Sequence, residues 1–259
     1  MLVAVLTHAA VIAYAATGAL YGADLVAEAR TSRVGRIGYA FASAFTALAV
    51  IAIAVIDGPS ALLRGSGVFA SLALVIGLGF LAIGRTFDVR VAAALVAPAC
   101  ALLLVGSLLQ PLRPSTPEEA QMALVFIHVG LVLIGLGTFA LSAVLAGLYL
   151  LQERQLKKRQ FGALFHRLPS LEELDAASFR LVVLGFVIYT VALIVGFLWL
   201  FQTAGTGSIA RIGLSLLAWV MFASVIHTRI TRGWRGKQSA WMTIGGAVSA
   251  LLVLAVYAR

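Results

Sequence analysis

The side chains with the clearest chemistry in this 259-residue chain are its four histidines, because neutral imidazole is a common ligand of metal ions and of haem iron. His8 and His128 each lie six residues inside a long apolar run, whereas His227 lies near the end of another run. Two imidazoles at one depth in facing helices are the arrangement that bis-histidine ligation of a haem iron requires. Each imidazole could equally form a hydrogen bond with a neighbouring helix. His166 lies in a basic loop, and we predict that it faces solvent or lipid headgroups and is not a ligand.

The composition excludes an ordinary soluble domain. Hydrophobic residues make up 62% of the chain, charged residues only 11%, and the mean hydropathy is +1.05. An α-helix needs about 20 apolar residues to cross the hydrocarbon of a bilayer. The sequence contains runs of this kind at Leu2 to Tyr21, Ile37 to Ile56, Val68 to Ile83, Val91 to Leu109, Met122 to Leu151, Leu181 to Phe201, Ile209 to Ile230 and Ala240 to Ala258. No segment has the strict alternation of a barrel strand. We therefore predict an all-α polytopic membrane protein, with residues 1–259 forming one domain of eight transmembrane helices.

The distribution of basic residues predicts the orientation of these helices. Fifteen of the 19 Lys and Arg residues fall in every second gap between the runs, and the exceptions are Arg64, Arg113, Arg211 and Arg259. Because basic residues near helix ends stay in the cytoplasm, this pattern places both termini outside. It puts His8 and His128 in the outer third of the membrane and His227 near the inner face. The net charge of +9 then reflects topology and attraction to anionic lipid, and no nucleic acid is needed to explain it.

Several classes of protein lack the residues they would need. All ten acidic residues lie in loops or at predicted helix ends, which disfavours a proton-coupled or sodium-coupled transporter. The sequence contains no HExxH, GxSxG or GxxxxGK motif, so we predict that the protein is not an enzyme. Cys100 is the single cysteine and lies inside the fourth run, which excludes a disulfide or a thiolate metal cluster within one chain.

The residues that share a helix face with the candidate ligands are small or slim. They are Gly213, Val220 and Ser224 on the side of His227, and Gly135 and Ser142 on the side of His128. Such a stripe could admit a flat cofactor, although small residues more often allow helices to pack closely.

Two inner loops have local order. Ser170 and Glu173 fit an N-terminal capping box, which predicts a short surface helix before Phe179. The loop from Thr231 to Gln238 combines cations with an indole, a composition typical of a contact with lipid headgroups or with a cytosolic partner. The residues assigned to this contact are Arg229, Arg232, Trp234 and Arg235.

The second half of the chain resembles the cytochrome c assembly family, whose members include CcsA subunits and HemX-type membrane proteins. The resemblance is carried by Phe126-Ile-His128-Val-Gly130, Leu174-Asp175, Ser178-Phe179-Arg180, the run Gly185 to Gly196, His227-Thr-Arg229, Gly233-Trp-Arg-Gly236 and Ser239-Ala240. It covers about Met122 to Tyr257, and we assign 122–258 to it. The CcsA branch has a tryptophan-rich, WD-containing outer loop where this chain has only Gln202 to Gly207. The HemX-type branch, which lacks that loop, is therefore the closer match.

The resemblance implies that His128 serves a haem on the outer side and that His227 serves a haem within the membrane. The resemblance does not reach His8, which we assign as the partner of His128 from depth alone. It further implies non-covalent, b-type haem, a bacterial inner-membrane location, and a role in cytochrome c assembly or in control of haem biosynthesis. The partners it implies are membrane lipid and haem, with a cytochrome c assembly subunit or glutamyl-tRNA reductase as protein partner.

Two other functions stay open at this point. A haem or small-molecule permease would use the same helices and histidines but would show net transport in vesicles. A membrane adaptor that regulates a cytosolic enzyme such as glutamyl-tRNA reductase would lose its partner, but not its haem, when the basic loops are neutralised.

Overall fold

The computed structural model describes residues 1–27, 32–63, 65–84, 90–110, 123–159, 165, 168–202 and 209–257. All regular secondary structure in these residues is helical, which confirms the predicted all-α fold with eight main helices. The helices are α1 (Leu2–Ala27), α2 (Ser32–Ile56), α3 (Ser66–Ile83), α4 (Arg90–Leu109), α5 (Ala123–Lys157), α6 (Leu171–Gln202), α7 (Ile209–Arg232) and α8 (Lys237–Tyr257). A short 3-10 helix, Pro59–Leu63, follows α2. His166 and the predicted outer connection after Gln202 lie outside the described residues.

Within the described residues, seven helices, α1 to α7, are long and apolar enough to cross a membrane. The eighth helix, α8, is not one of these seven within the described residues, and it begins with the polar pair Lys237 and Gln238. Large aliphatic side chains such as Ile12, Val55 and Leu102 are exposed on the outside of the bundle. A membrane protein can leave such side chains in contact with lipid, whereas a water-soluble bundle would bury them. The chain is thus a multi-pass membrane protein.

Helix α6 begins at a capping box, as predicted. The Ser170 N–H donates to Glu173 Oε2 over 2.8 Å, and the Glu173 N–H donates to Ser170 Oγ over 3.2 Å. The predicted separate surface helix before Phe179 is wrong, because one continuous helix runs over Leu171–Gln202. No glycine or proline interrupts its first turns, and Leu174 is buried against the bundle, so the helix has no reason to break there.

The eight helices pack as two halves. In the first half, α1 packs against α2 and α4, and α3 packs against α4 and α2. In the second half, α5 packs closely against α6 and also against α8, while α7 packs mainly against α8 and only sparsely against α6. The contact between α3 and α5 joins the halves. Helices α5 and α7 finish at one end of this half, and α6 and α8 begin there. We call it the basic end, because it carries Arg154, Lys157, Arg232, Arg235 and Lys237.

The core of the first half is built around buried hydroxyl groups. The Tyr14 hydroxyl lies 3.1 Å from Ser43 Oγ, and the Tyr14 and Tyr39 rings meet edge to face at 5.3 Å. Cys100 is fully buried, and its Sγ lies 3.8 Å from the carbonyl oxygen of Ala73. These contacts account for the one cysteine as a packed side chain with a weak hydrogen bond.

The core of the second half is aromatic. The Phe139 and Phe222 rings stack at a centroid distance of 3.5 Å, and the Tyr189 ring meets Phe139 edge to face at 5.7 Å. Gly185 of α6 makes room for the Phe139 ring, because a Cβ at this position would lie 2.7 Å from Phe139 Cε1. Close approach of this kind is typical of helix interfaces in membranes, where small residues let backbones come together. The result is a closely packed α5–α6 pair, and His128 lies on α5 facing this interface.

Candidate functional site

His128 lies near the start of α5, and its ring points at α6. Its Nδ1 lies 2.7 Å from the carbonyl oxygen of Ala192. A carbonyl oxygen can only accept, so Nδ1 carries the hydrogen, and in the neutral ring Nε2 holds the lone pair. Nε2 makes no hydrogen bond with the residues that the structure describes. The side chain is half-buried, and the bond to Ala192 fixes its tautomer and leaves Nε2 without a partner among the described residues.

The space for the His128 ring exists because residue 196 is a glycine. A Cβ at Gly196 would lie 2.6 Å from His128 Cε1 and 2.8 Å from Nδ1, which is closer than carbon and nitrogen atoms normally approach. Ala192 and Gly196 are one helical turn apart on α6, so they form one cradle for the imidazole. Neither residue was singled out from the sequence, because nothing in a glycine or alanine of an apolar run indicates which ring it faces.

His8 lies on α1, where its side chain is exposed, and its Nδ1 lies 2.6 Å from the carbonyl oxygen of Ala4 in the same helix. The principal packing partners of α1 are α2 and α4, whereas those of α5 are α6, α8 and α3. The predicted facing pair of His8 and His128 is therefore not formed, because each ring is turned toward a different backbone. Equal depth along two helices does not fix which neighbours their faces meet.

His227 lies near the basic end of α7 and is exposed. The packed face of α7 carries Ala218, Phe222 and Val225, and His227 lies on the opposite side of the helix. The predicted stripe beside it is also open, since a Cβ at Gly213 would meet none of the described atoms within 4 Å. A cofactor at His227 would thus lie on the surface of the bundle and not in a slot between helices.

The stripe beside His128 serves helix packing instead. Gly135 lies against Tyr189, and a Cβ there would be 3.2 Å from that residue's own Cβ. Ser142 is fully buried and donates a hydrogen bond to the carbonyl oxygen of Phe139 over 2.8 Å. Of the two predicted roles of these small residues, the structure shows the packing role at this position.

Arg229 was predicted to contact lipid or a partner, but its side chain is only 13% exposed and forms an ion pair with Asp175 of α6. Arg229 Nη1 and Nη2 donate to Asp175 Oδ1 and Oδ2 over 3.1 and 2.7 Å. The Gly236 N–H donates to Asp175 Oδ1 over 3.0 Å. We call these three residues the Asp175 clamp. In the sequence, Asp175 appears only among the residues that carry the family resemblance. Its pairing with Arg229 was not predicted, because the two residues are 54 positions apart in the chain.

The other residues of the predicted basic contact are placed by the loop between α7 and α8. Gly233 and Gly236 both adopt positive φ angles, of 63° and 67°, which glycine allows at little cost. The Trp234 N–H donates to the carbonyl oxygen of Thr228 over 3.3 Å, and the Arg232 guanidinium lies 5.6 Å from the Trp234 ring centroid. Arg232 and Arg235 are exposed, and Trp234 is half-buried. These side chains are available to an anionic surface, whereas Arg229 is not.

No group of three or more His, Cys, Asp or Glu side chains able to hold a metal ion occurs within the described parts of the chain. Iron that arrives inside a porphyrin needs only axial ligands from the protein, and one imidazole nitrogen supplies one of these. The His128 cradle and the exposed His227 each fit that requirement for a single axial ligand.

Comparison with known proteins adds a family to this geometry. The sequence model of the family described as Cytochrome C assembly protein matches residues 61–257, so the similarity reaches further toward the N terminus than residue 122. No solved structure matches the chain.

Three relatives illustrate the similarity. Protein HemX of Brevibacillus brevis is 35% identical over 91 residues, which cover 33% of this chain and 34% of that protein. The cytochrome c biogenesis protein CcsA of Guillardia theta is 27% identical over 182 residues, covering 57% of this chain and 60% of the relative. Inner membrane protein YpjD of Escherichia coli is 28% identical over 135 residues, covering 51% and 49%. The chain thus spans between about a third and three fifths of these relatives.

Proposed function

This chain belongs to the cytochrome c assembly protein family, and we propose that it binds haem non-covalently through His128. The observation that carries the proposal is the hydrogen bond from His128 Nδ1 to the Ala192 carbonyl oxygen. Histidines that ligate metals typically donate their other ring N–H to a carbonyl or carboxylate, which fixes the tautomer and makes the ligating nitrogen more basic. His128 has this arrangement, together with a glycine that leaves room for the ring. When bound, the haem would supply the iron, and His128 would supply one ligand to it.

We infer a second haem position at His227, which is exposed at the basic end of α7. The two histidines lie at opposite ends of the α5–α8 half, so they would serve separate haems. His8 is exposed on α1 and belongs to neither proposed haem position, because its ring and that of His128 have different neighbours.

The direction of the chain in the membrane follows from its charge. Because the basic end carries most of the described Lys and Arg residues of α5 to α8, we place it in the cytoplasm of a bacterial inner membrane and place both termini outside. His128 then serves the outer side and His227 the inner side. The relative named as an inner membrane protein supports this location.

The biological role that we propose is a non-enzymatic one in cytochrome c assembly or in control of haem biosynthesis. The first is supported by the family and by the relatives named as cytochrome c biogenesis proteins, and the second by the relative named HemX. An adaptor role is the second candidate, because the fixed α7–α8 loop exposes Arg232 and Arg235 to an acidic partner such as an assembly subunit or glutamyl-tRNA reductase.

The test is purification in detergent from haem-replete cells, with absorption spectra and haem content of the wild type and of histidine variants. We expect a haem spectrum from the wild type, and loss of one component in His128→Ala and of another in His227→Ala. His8→Ala is the matched control for removing an exposed intramembrane imidazole and is expected to keep both components. A colourless wild type would rule out the haem proposal.

A further inference from the structure

One carboxylate at the basic end joins three elements of the second half. Asp175 in the second turn of α6 accepts two hydrogen bonds from Arg229 of α7 and one from the backbone N–H of Gly236 in the α7–α8 loop. A bidentate arginine–carboxylate pair fixes the relative orientation of the two groups as well as their distance. The Asp175 clamp therefore sets how α7 is rotated relative to α6.

The surroundings of Arg229 make this pair more than a surface contact. Its guanidinium lies 4.1 Å from the centroid of the Phe179 ring, one turn further along α6 from Asp175. The Arg229 and Asp175 side chains are 13% and 14% exposed, so both are largely removed from solvent. Removing one partner of such a pair leaves the other charge uncompensated, which is costly at a buried site.

The clamp matters for α7 because the described part of this helix packs less extensively against α6 than against α8. Other contacts between α7 and α6 include hydrogen bonds from Trp219 Nε1 to Thr190 Oγ1 over 2.9 Å and from Tyr189 to the Ser215 carbonyl oxygen over 3.4 Å. Both lie two turns or more from His227, whereas Arg229 is two residues from it.

Residues two apart on an α-helix point in roughly opposite directions, about 200° around the axis. While Asp175 holds Arg229 against α6, His227 is held on the side of α7 that faces away from the bundle. We propose that Asp175 is a positioning residue for His227 and acts through Arg229, which rests on the proposed function of His227 as a haem ligand. The proposal concerns the basic end alone, because His128 is held by its own bond to Ala192.

The first test needs no haem. In a Cys100→Ser background, a nitroxide label is attached to His227→Cys, and its electron paramagnetic resonance spectrum is recorded in lipid nanodiscs with and without Asp175→Asn. We expect a clear rise in the mobile component with Asp175→Asn and with the second variant, Arg229→Lys. The matched control is Glu153→Gln, which breaks the exposed ion pair between Glu153 and Lys157 on the same end and should leave the spectrum unchanged. Equal spectra with and without Asp175→Asn would overturn the proposal, whatever the protein binds.

The second test separates positioning from general stability. Asp175→Asn is combined with His128→Ala, which leaves only the His227 haem, and with His227→Ala, which leaves only the His128 haem. Loss of a residue that orients a metal ligand typically weakens metal binding by about tenfold or more. We therefore expect about this loss of haem affinity in the first combination and no loss in the second. Equal weakening of both haems would assign Asp175 a purely structural role and contradict the proposal. Absence of haem from the wild type would count against the proposed function and leave the spin-label result standing.

Discussion

The two ends of the α5–α8 half orient a histidine by different means. At one end, the ring of His128 is itself bonded, through Nδ1, to the Ala192 carbonyl oxygen. At the basic end, the ring of His227 is exposed, and the tie is made two residues away by Arg229 and Asp175. The first arrangement fixes the tautomer and direction of one side chain, whereas the second fixes the rotation of a helix. A histidine can thus be oriented by a hydrogen bond to its own ring, or by a contact of a nearby residue on the same helix.

The largest effect should come from removing the carboxylate of the clamp. Asp175→Ala leaves the Arg229 guanidinium largely buried without its partner, and we expect a loss of about 3–5 kcal/mol in the free energy of unfolding. Glu153→Ala breaks an ion pair within one helix whose lysine, Lys157, is 65% exposed, and it should cost no more than about 0.5 kcal/mol. Denaturant unfolding in mixed micelles, followed by tryptophan fluorescence, measures both. Similar losses in the two variants would remove the energetic distinction between the basic end and an ordinary surface.

At the opposite end, the sharpest change is a single methyl group. Gly196→Ala places a Cβ against the His128 ring and should cost about 1–3 kcal/mol of stability, or displace the ring and with it the His128 haem component. The matched control is Gly130→Ala, two residues from His128, where the added Cβ would meet none of the described atoms within 4 Å. Haem content and thermal stability of the two variants are compared. If Gly196→Ala behaves like its control on both measurements, the cradle does not hold the ring.

The smallest effect separates two glycines of the same loop. Gly233 and Gly236 both have positive φ angles, so alanine strains the backbone at either site by about 1 kcal/mol. A Cβ at Gly236 would also collide with the Tyr149 hydroxyl of α5, whereas none of the described atoms lies within 4 Å at Gly233. We expect Gly236→Ala to lower the unfolding midpoint further than Gly233→Ala. Equal midpoints would show that the close approach of the loop to Tyr149 has no effect on stability.

Much of the fold follows from the sequence because it depends on local properties. Runs of apolar residues predict the helices, and Ser170 with Glu173 predicts where α6 begins, since a capping box forms within four residues. The continuity of α6 past Phe179 was not predicted. Polar residues such as Asp175 and Ser178 indicate an exposed segment until their partners on other helices are known. Ser178 in fact donates to the Ser142 carbonyl oxygen over 3.0 Å and is buried.

The candidate site was predicted less completely, for a related reason. The types and depths of His128 and His227 are readable from the sequence, but the face that each presents depends on which helices pack together. His8 and His128 do not face each other, because α1 and α5 have different packing partners. For the same reason the partner of Arg229 was not predicted. Contacts between residues 54 or 64 positions apart, such as Asp175 with Arg229 or His128 with Ala192, have no local signature.

The unusual length of α5 and α6 gives the two ends different solvents. With 35 and 32 residues, these helices are about 52 and 48 Å long, against about 30 Å for the hydrocarbon core of a bilayer. We place the surplus at the basic end, because α5 finishes there in a polar turn and α6 begins there with Glu172 and Glu173. The charged groups of the Asp175 clamp consequently lie in the polar stretches of these two helices, where they avoid the hydrocarbon, whereas the bond between His128 and Ala192 lies between apolar stretches of the same helices.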